Sequence, residues 1–533
     1  MSAGLQRILH SGPQDERLVG SALPWYQRKL DRTGRYTTQW RRVEFDTTPN
    51  FGVKATASIP VAGELLSRIY LVSELPSFGP AVAQAQGQAA ALGKVFLGPN
   101  IGYTNSAGHA LVETAELTIG NTAFDRLNSR LLETLDEYYT PIEQIPLVNE
   151  LIKRADNGFA PGLYGSALGA GGVGIPETVA VPLPFWCVRG DERSFLPLDA
   201  LNASRVQVVT QFRSLAGMIV TDGVGPLTVS GEIITEAAMQ TETTLAYGDG
   251  CAVSSQSFYA ATDVSGTTVI EAVVVGDINL ASLRLGDTYL MVEYVYLDKL
   301  EAYAWRNGML EYPIVQYTTI PIVQTQGNRF ISIDLPFNNP VRNLFISLQR
   351  VDAANYNMHF QGTRELVNYK GAVQGSIAVQ SSATQGLWWP DASGLVYDRP
   401  GFLVPGYSQT ESEPLVSMEL VYEGKYTKTK TLNPALYRSL LPSLELTKTP
   451  WVNRYYYCIP FGLGADKEAG LAAVGEANWN KIASKRLLLE LSQEIIPLSG
   501  VRGGFPSYNV YVHVESYNVF NVYGGTGSLL FDY

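Results

Sequence analysis

The sequence predicts an all-β protein built from two large β domains, and three observations carry that expectation. First, 533 residues exceed one ordinary core and suggest about two to four units. Second, 30 Tyr, 19 Phe and 8 Trp accompany abundant Val and Thr, with 50 Gly, 29 Pro and only 17% charged residues. Aromatic and β-branched residues fit a pleated, half-buried surface, and Gly and Pro supply the tight turns between short strands. Third, apolar residues recur with a period of two in segment after segment, whereas helical spacing is scarce and local.

In chain order, residues 1–35 are polar and contain Pro13, Pro24 and a basic cluster of Arg28, Lys29, Arg32 and Arg35. They read as an arm packed on a surface; the cluster is either a solvated face or a contact for an acidic neighbour. From Phe51 the alternation is clean, with Phe51, Val53, Ala55, Ala57 and Ile59 on one face. A turn at Val61–Glu64 and the strand SRIYLVSELP follow, and Ala81–Ala91 reads as a surface loop or a short helix. NSAGHALVETAELTIGNTAFDRL predicts a strand ending at the turn pair Gly120-Asn121. After it Phe124, Leu127, Leu131 and Leu135 recur at helical spacing and predict an amphipathic helix of about three turns lying on a sheet.

Thr178–Arg213 reads as two apolar strands joined by a charged turn at Arg189–Arg193, closing the first domain. Pro182 and Pro184 remove ladder donors, which places the first of these strands at a sheet edge or a sharp bend. Residues 214–286 read as a linker with an inserted excursion. TYLMVEYVYLDKL then opens the second half with both faces apolar apart from Glu293, implying burial on two sides. Further strands are expected at Ile314–Val323, Phe330–Leu335 and Leu344–Arg350, then in SMELVYEG, NRYYYCIPF, KRLLLELS and SYNVYVHVESYNVFNVYGG. Leu183-Pro184-Phe185 is echoed by Leu335-Pro336-Phe337. The divisions are therefore 1–35 arm, 36–213 first domain, 214–286 linker or insertion, and 287–533 second domain.

Chemistry is sought with little result. Four histidines (His10, His109, His359, His513) lie too far apart for metal-ligand spacing, and neither a G-x-S-x-G elbow nor a phosphate loop occurs. Gly169, Gly171 and Gly174 have dinucleotide-fingerprint spacing, but Pro176 and strand formers follow where a helix is required, so a loop is the better reading. No catalytic, cofactor-binding or metal-binding residue is assigned, and no cofactor is expected. Asn202-Ala203-Ser204 fits a glycan sequon by chance, and Trp388-Trp389 is either a packed contact or a sugar platform. Cys187, Cys251 and Cys458 do not form a disulfide framework and suit a reducing compartment. Acidic residues exceed basic ones by 11, which disfavours direct nucleic-acid binding. The N-terminus carries charge where a signal peptide needs an apolar run.

The ordered segments resemble one family. GLQRILHSGPQDERL with PWYQRKLDRTGRYTTQ, FGVKATASIPVAGELLSRIYLVSELP, NSAGHALVETAELTIGNTAFDRL and the Thr178–Arg213 stretch are similar to successive elements of double jelly-roll major capsid proteins of large eukaryotic DNA viruses. So are LMVEYVYLDKLEAYAW, LPFNNPVRNLFISLQ, GEANWNKI and YNVFNVYGGTGSLLF. The chain departs from the pattern at Ala302-Tyr303, at Asn202–Arg205 and in the length of 214–286. The resemblance implies two consecutive eight-stranded jelly rolls with short helices in the loops. It also implies a homotrimer forming a pseudo-hexameric capsomer of an icosahedral shell, assembled in the host cytoplasm. The implied partners are neighbouring capsomers and minor and penton capsid proteins, with the N-terminal arm near an internal membrane. The rival expectations are a carbohydrate-binding or carbohydrate-active sandwich and a minor or penton component of the same virion.

Overall fold

In a computed structural model of the chain, residues 34–93, 95–98, 101–154, 162–163, 177–188, 194–221, 255–261, 264–265, 268–269, 272–279, 282–354, 357, 359–364, 413–426, 433–450, 454–462, 475–493 and 505–531 are described. Among the described residues eight principal strands form the first sandwich: β1 Tyr36–Glu44, β2 Lys54–Ile59, β3 Leu65–Leu75, β4 Val112–Ile119, β5 Thr122–Asn128, β6 Glu177–Pro182, β7 Val206–Phe212 and β8 Thr288–Leu297. Eight more form the second: β9 Leu310–Thr319, β10 Phe330–Asp334, β11 Pro340–Arg350, β12 Leu415–Tyr422, β13 Lys425–Tyr426, β14 Tyr456–Pro460, β15 Lys485–Leu491 and β16 Tyr508–Tyr523. Short strands extend the sheets: Leu196–Pro197 on β3, Val323–Gln324 and Thr526–Leu529 on β16, and Ala477–Asn478 on β11. The strand order is β1-β8-β3-β6 against β2-β7-β4-β5, then β9-β16-β11-β14 against β10-β15-β12-β13. Counted within each sandwich, both read 1-8-3-6 and 2-7-4-5. The same wiring has been used twice.

Period-two burial places the first core. Ala55, Ala57 and Ile59 of β2 and Val206, Val208 and Phe212 of β7 face Ile69 and Leu71 of β3 and Leu290 and Val292 of β8. The second core gathers Leu344, Ile346 and Leu348 of β11, Leu487, Leu489 and Leu491 of β15, and Val510, Val512 and Val514 of β16. Burying one such side chain contributes roughly 1.5–3 kcal/mol, so the alternation alone secures each sandwich.

The structure corrects several sequence expectations. The 288–297 strand does not open the second sandwich; β8 pairs antiparallel with β1 and β3 and completes the first one. Sequence proximity to the second half misplaced it, because in this wiring the eighth strand lies between the first and third, far from its chain neighbours. Thr178–Arg213 is not a hairpin: β6 pairs with β3, and β7 pairs with β2 and β4 in the opposite sheet. Local alternation specifies a strand but not the sheet it joins. Pro182 does lie at the end of an edge strand, opposite Tyr70.

Two-sided burial runs the length of β11, whereas in β8 it is confined to Val292–Val295. From Val341 to Arg350 every β11 residue is buried, whereas Tyr289 and Met291 of β8 are only half-buried. Phe124 and Leu127 belong to β5, and the helix α2 is Ser129–Tyr139, started by Asn128, whose side-chain oxygen accepts from Leu131 N at 2.8 Å. Ala81–Ala91 falls within a helix, α1, Gly79–Ala91. Leu183–Phe185 and Leu335–Phe337 do share a geometry, with Phe185 N donating to Leu183 O at 2.8 Å and Phe337 N to Leu335 O at 2.9 Å. They follow the sixth strand of one sandwich and the second strand of the other, so the echo is a local turn and not a topological equivalence.

The 214–286 stretch is partly built into the fold. Ser255–Ala261 pairs with Ala272–Asn279 and with Val95–Gly98, and Ile219–Thr221 pairs with Ile101–Thr104, which also pairs with Gly162–Leu163. The connections β3–β4, β5–β6 and β7–β8 therefore meet in two small sheets. Helix α3, Ile145–Ile152, follows α2, and α4, Lys299–Asn307, joins the two sandwiches.

Candidate functional site: the face between the two sandwiches

The most elaborate arrangement of side chains lies where α2, β5 and the 186–188 turn of the first sandwich rest on the outer face of β9-β16-β11-β14. Phe520 of β16 takes Phe124 edge-on at 5.5 Å and the Trp186 ring at 4.9 Å. Tyr138 and Tyr139 close the α2 end: Tyr138 packs on Phe345 at 5.4 Å and donates to Tyr456 O at 2.8 Å, and Tyr139 donates to a Glu515 carboxylate oxygen at 2.9 Å. Glu515 also accepts from Tyr317 at 3.1 Å and from Asn343 Nδ2 at 2.6 Å, so the carboxylate sits buried among donors.

A charge cluster fastens the same interface. Lys153 adopts a left-handed conformation (φ 56°) at the end of α3, so that Arg154 N bonds Asn149 O at 2.8 Å and its side chain turns back toward α2. There Glu133 accepts from Arg154 at 2.6 Å and pairs with His109 Nδ1 at 2.7 Å. Arg454, from the second sandwich, reaches Glu133 at 2.8 Å and Glu137 at 3.2 Å. Arg154 also pairs with Asp136, and Lys448 lies 3.9 Å from Glu137. Three acids (Glu133, Asp136, Glu137) thus meet three bases (Arg154, Arg454, Lys448), a balance that buried charge requires. Burial by itself would raise the Glu133 carboxyl, but Arg154, the His109 hydrogen bond and Arg454 hold it well below the usual carboxylate range.

The expected site residues are distributed as follows. His109, His359 and His513 all serve this interface: His359 Nε2 lies 2.7 Å from Gly217 O, and His513 Nδ1 shares a hydrogen bond with Thr319 Oγ1 at 2.9 Å. Burial, then nearby Arg213, keeps His359 well below its usual range, and burial with Arg130 lowers His513 to about 3. Among the described residues no group of three or more His, Cys, Asp or Glu could hold a metal ion. Cys187 and Cys458 are buried. Asn202 stands in a turn against Gly525, where Ala203 N bonds Gly525 O at 3.1 Å. His10, Cys251, the glycine run at 169–174, Arg189–Arg193 and Trp388-Trp389 lie outside the described residues.

Sequence reasoning missed the Glu133–Arg154–Arg454 cluster. Its only advance signal is that Glu133 falls in an otherwise amphipathic helix at a position that the second sandwich covers.

The acids and bases of this cluster pair with one another within the chain, which makes it a fastening between the sandwiches. A profile described as Major capsid protein N-terminus matches residues 25–298, more than half of the chain and the span that β8 completes. The chain belongs to the major capsid protein family. The major capsid protein of Pyramimonas orientalis virus is 25% identical over 230 residues, covering 42% of this capsid chain and half the length of that relative. Two solved structures share the fold. The PBCV-1 virus capsid quasi-atomic model has a TM-score of 0.62 at 16% identity and covers 96% of this chain and 100% of its own. The Faustovirus major capsid protein has a TM-score of 0.60 at 11% identity, covering 98% and 96%. The capsid chain is accordingly a double jelly roll, with both rolls wired 1-8-3-6 over 2-7-4-5.

Proposed function

We propose that the chain is the structural building block of a virion shell. Three copies associate so that six jelly rolls form a pseudo-hexameric capsomer, and capsomers tile the facets of an icosahedral capsid. The observation that carries this reading is the repetition of one eight-stranded wiring in two sandwiches fastened side by side by the buried α2 face. Such a chain is two-sixths of a ring before any association occurs. Family membership supports the reading, and the relatives named above are capsid proteins and not enzymes.

In this reading assembly takes place in the host cytoplasm, and the shell also contacts minor and penton proteins. The arm expected over residues 1–35, nearly all of it outside the described residues, is assigned to the inner, membrane-facing side. In this reading the chain needs no catalytic, cofactor or metal site, and no metal-binding group is found among the described residues. Its net charge of −11 suits a shell kept apart from the genome.

Sedimentation of the purified full-length chain tests the proposal. A species of three chain masses that persists on dilution is the expected result; a monomer at micromolar concentration would overturn it.

A further inference from the structure

The face of the second sandwich that receives α2 has an uncovered counterpart in the first. Strand register aligns the two. In β16, Glu515 stands opposite Tyr317 of β9 and Asn343 of β11; in β8, Glu293 stands opposite Trp40 of β1 and Arg68 of β3. Two residues along, His513 is opposite Phe345, and Met291 is opposite Tyr70. Two further, Tyr511 matches Tyr289. Thus Trp40, Tyr70, Tyr289 and Glu293 occupy on the first sandwich the places that Tyr317, Phe345, Tyr511 and Glu515 hold on the second.

The second set is covered within the chain: Phe345 by Tyr138, Tyr511 by the Arg130 guanidinium at 4.1 Å, and Glu515 by Tyr139. Within its own sheet the first set has Arg42 3.9 Å over Tyr289 and Trp40 on Tyr70 at 5.6 Å, but no element of another layer covers it among the described residues. Trp40 is 41% exposed and Tyr36, beside it on β1, 60%. Glu293 is nonetheless buried, accepting from Ser67 Oγ at 2.8 Å, so a polar acceptor is already set into this face. Trp, Tyr, Met and Arg together are the composition of an interface core.

The covering element is duplicated as well. In the first sandwich the docked helix α2 belongs to the connection between the fifth and sixth strands. The same connection of the second sandwich carries the helical stretch Leu436–Glu445, where Leu440 is 58% and Leu444 57% exposed, beside a shallow groove lined by Ala435 and Leu436.

We propose that the β1-β8-β3 face of one copy, centred on Trp40, Tyr70 and Glu293, receives the Leu436–Glu445 stretch of a second copy. The contact between chains then repeats the contact within the chain. It is heterologous, using two different surfaces, and such contacts close into a ring when the rotation allows. The inference rests on the trimer reading and specifies which surfaces make it.

Sedimentation velocity on full-length Trp40→Asp and, separately, Leu440→Asp/Leu444→Asp tests the pairing, with circular dichroism and thermal melting to verify folding. All three side chains are exposed, so each variant is expected to fold, with a modest fall in melting temperature for Trp40→Asp, which sets a second carboxylate opposite Glu293. Each variant alone is expected to lose at least tenfold of its trimer. An equimolar mixture retains one intact pairing, between the good helical stretch of the first variant and the good face of the second, and is expected to stop at a two-chain species containing one of each. Variants that remain trimeric beside a trimeric wild type, or a mixture without the mixed two-chain species, would overturn the pairing and leave the trimer standing. A monomeric wild type would instead remove the trimer reading itself.

Discussion

His513 shows how much a single buried side chain is committed to the folded state. Its ring is held neutral with its pKa lowered to about 3, first by burial and then by Arg130, against about 6.5 in an unfolded chain. A group depressed in this way contributes stability above pH 6.5 and loses it as pH falls toward 3. His359 is lowered by burial and then by Arg213, and adds to the slope. Glu413 runs the other way: burial raises it to about 7 despite Arg438 at 2.7 Å and a Tyr457 hydrogen bond, so its contribution declines as pH rises from about 4.5 to 7. Thermal midpoints of wild type and His513→Asn, measured from pH 7.5 to 4, should converge toward acid, because the variant lacks one of the histidine penalties; parallel curves would refute the assignment. Gly525 is a second committed residue. It adopts φ +80° and a Cβ there would strike Asn202 and Ala203, so Gly525→Ala should cost about 1–3 kcal/mol in urea unfolding.

At the scale of elements, α2 is the fastening. A helix lying on one sheet keeps a wet face, yet Glu133 and Thr134 are completely buried because the second sandwich covers what would be that face. The charge balance of the cluster depends on Arg454, the member contributed across the interface. Removing one partner of a buried pair leaves its counter-charge uncompensated, at a cost of roughly 3–5 kcal/mol. Arg454→Met should therefore lower unfolding stability by about that amount. It should also split a single denaturation transition into two as the sandwiches lose their coupling, and a variant that unfolds at the wild-type midpoint would show that the cluster does not fasten them. β11 makes the same point with apolar residues. Leu344, Ile346 and Leu348 serve one core, and Phe345 between them serves the interface.

At the scale of the whole molecule, the outer face of β9-β16-β11-β14 is closed by its own chain, whereas that of β1-β8-β3-β6 has no cover from another layer among the described residues. On the trimer proposal, the uncovered copy of this surface is closed head to tail by a second chain. Stable obligate interfaces bury about 2,000–5,000 Å², which a sheet face and a helical connection can supply together. The three-chain species expected in sedimentation should accordingly resist dilution, and its melting temperature should rise with protein concentration.

The sequence by itself determined the strands, because period-two burial depends only on neighbours along the chain: Ala55-Ala57-Ile59 and Val206-Val208 were legible without a structure. It also carried the resemblance to a capsid family, which rests on segments in order and not on contacts. The β6 edge followed from Pro182, since a missing donor is a local property. Tertiary structure alone decided sheet membership and therefore the domain boundary. β8 lies next to β9 in the chain but pairs with strands that precede it by some two hundred residues or more. It alone brought Glu133, Arg154 and Arg454 together, because each is an ordinary surface residue type until a second sandwich removes the water from around it.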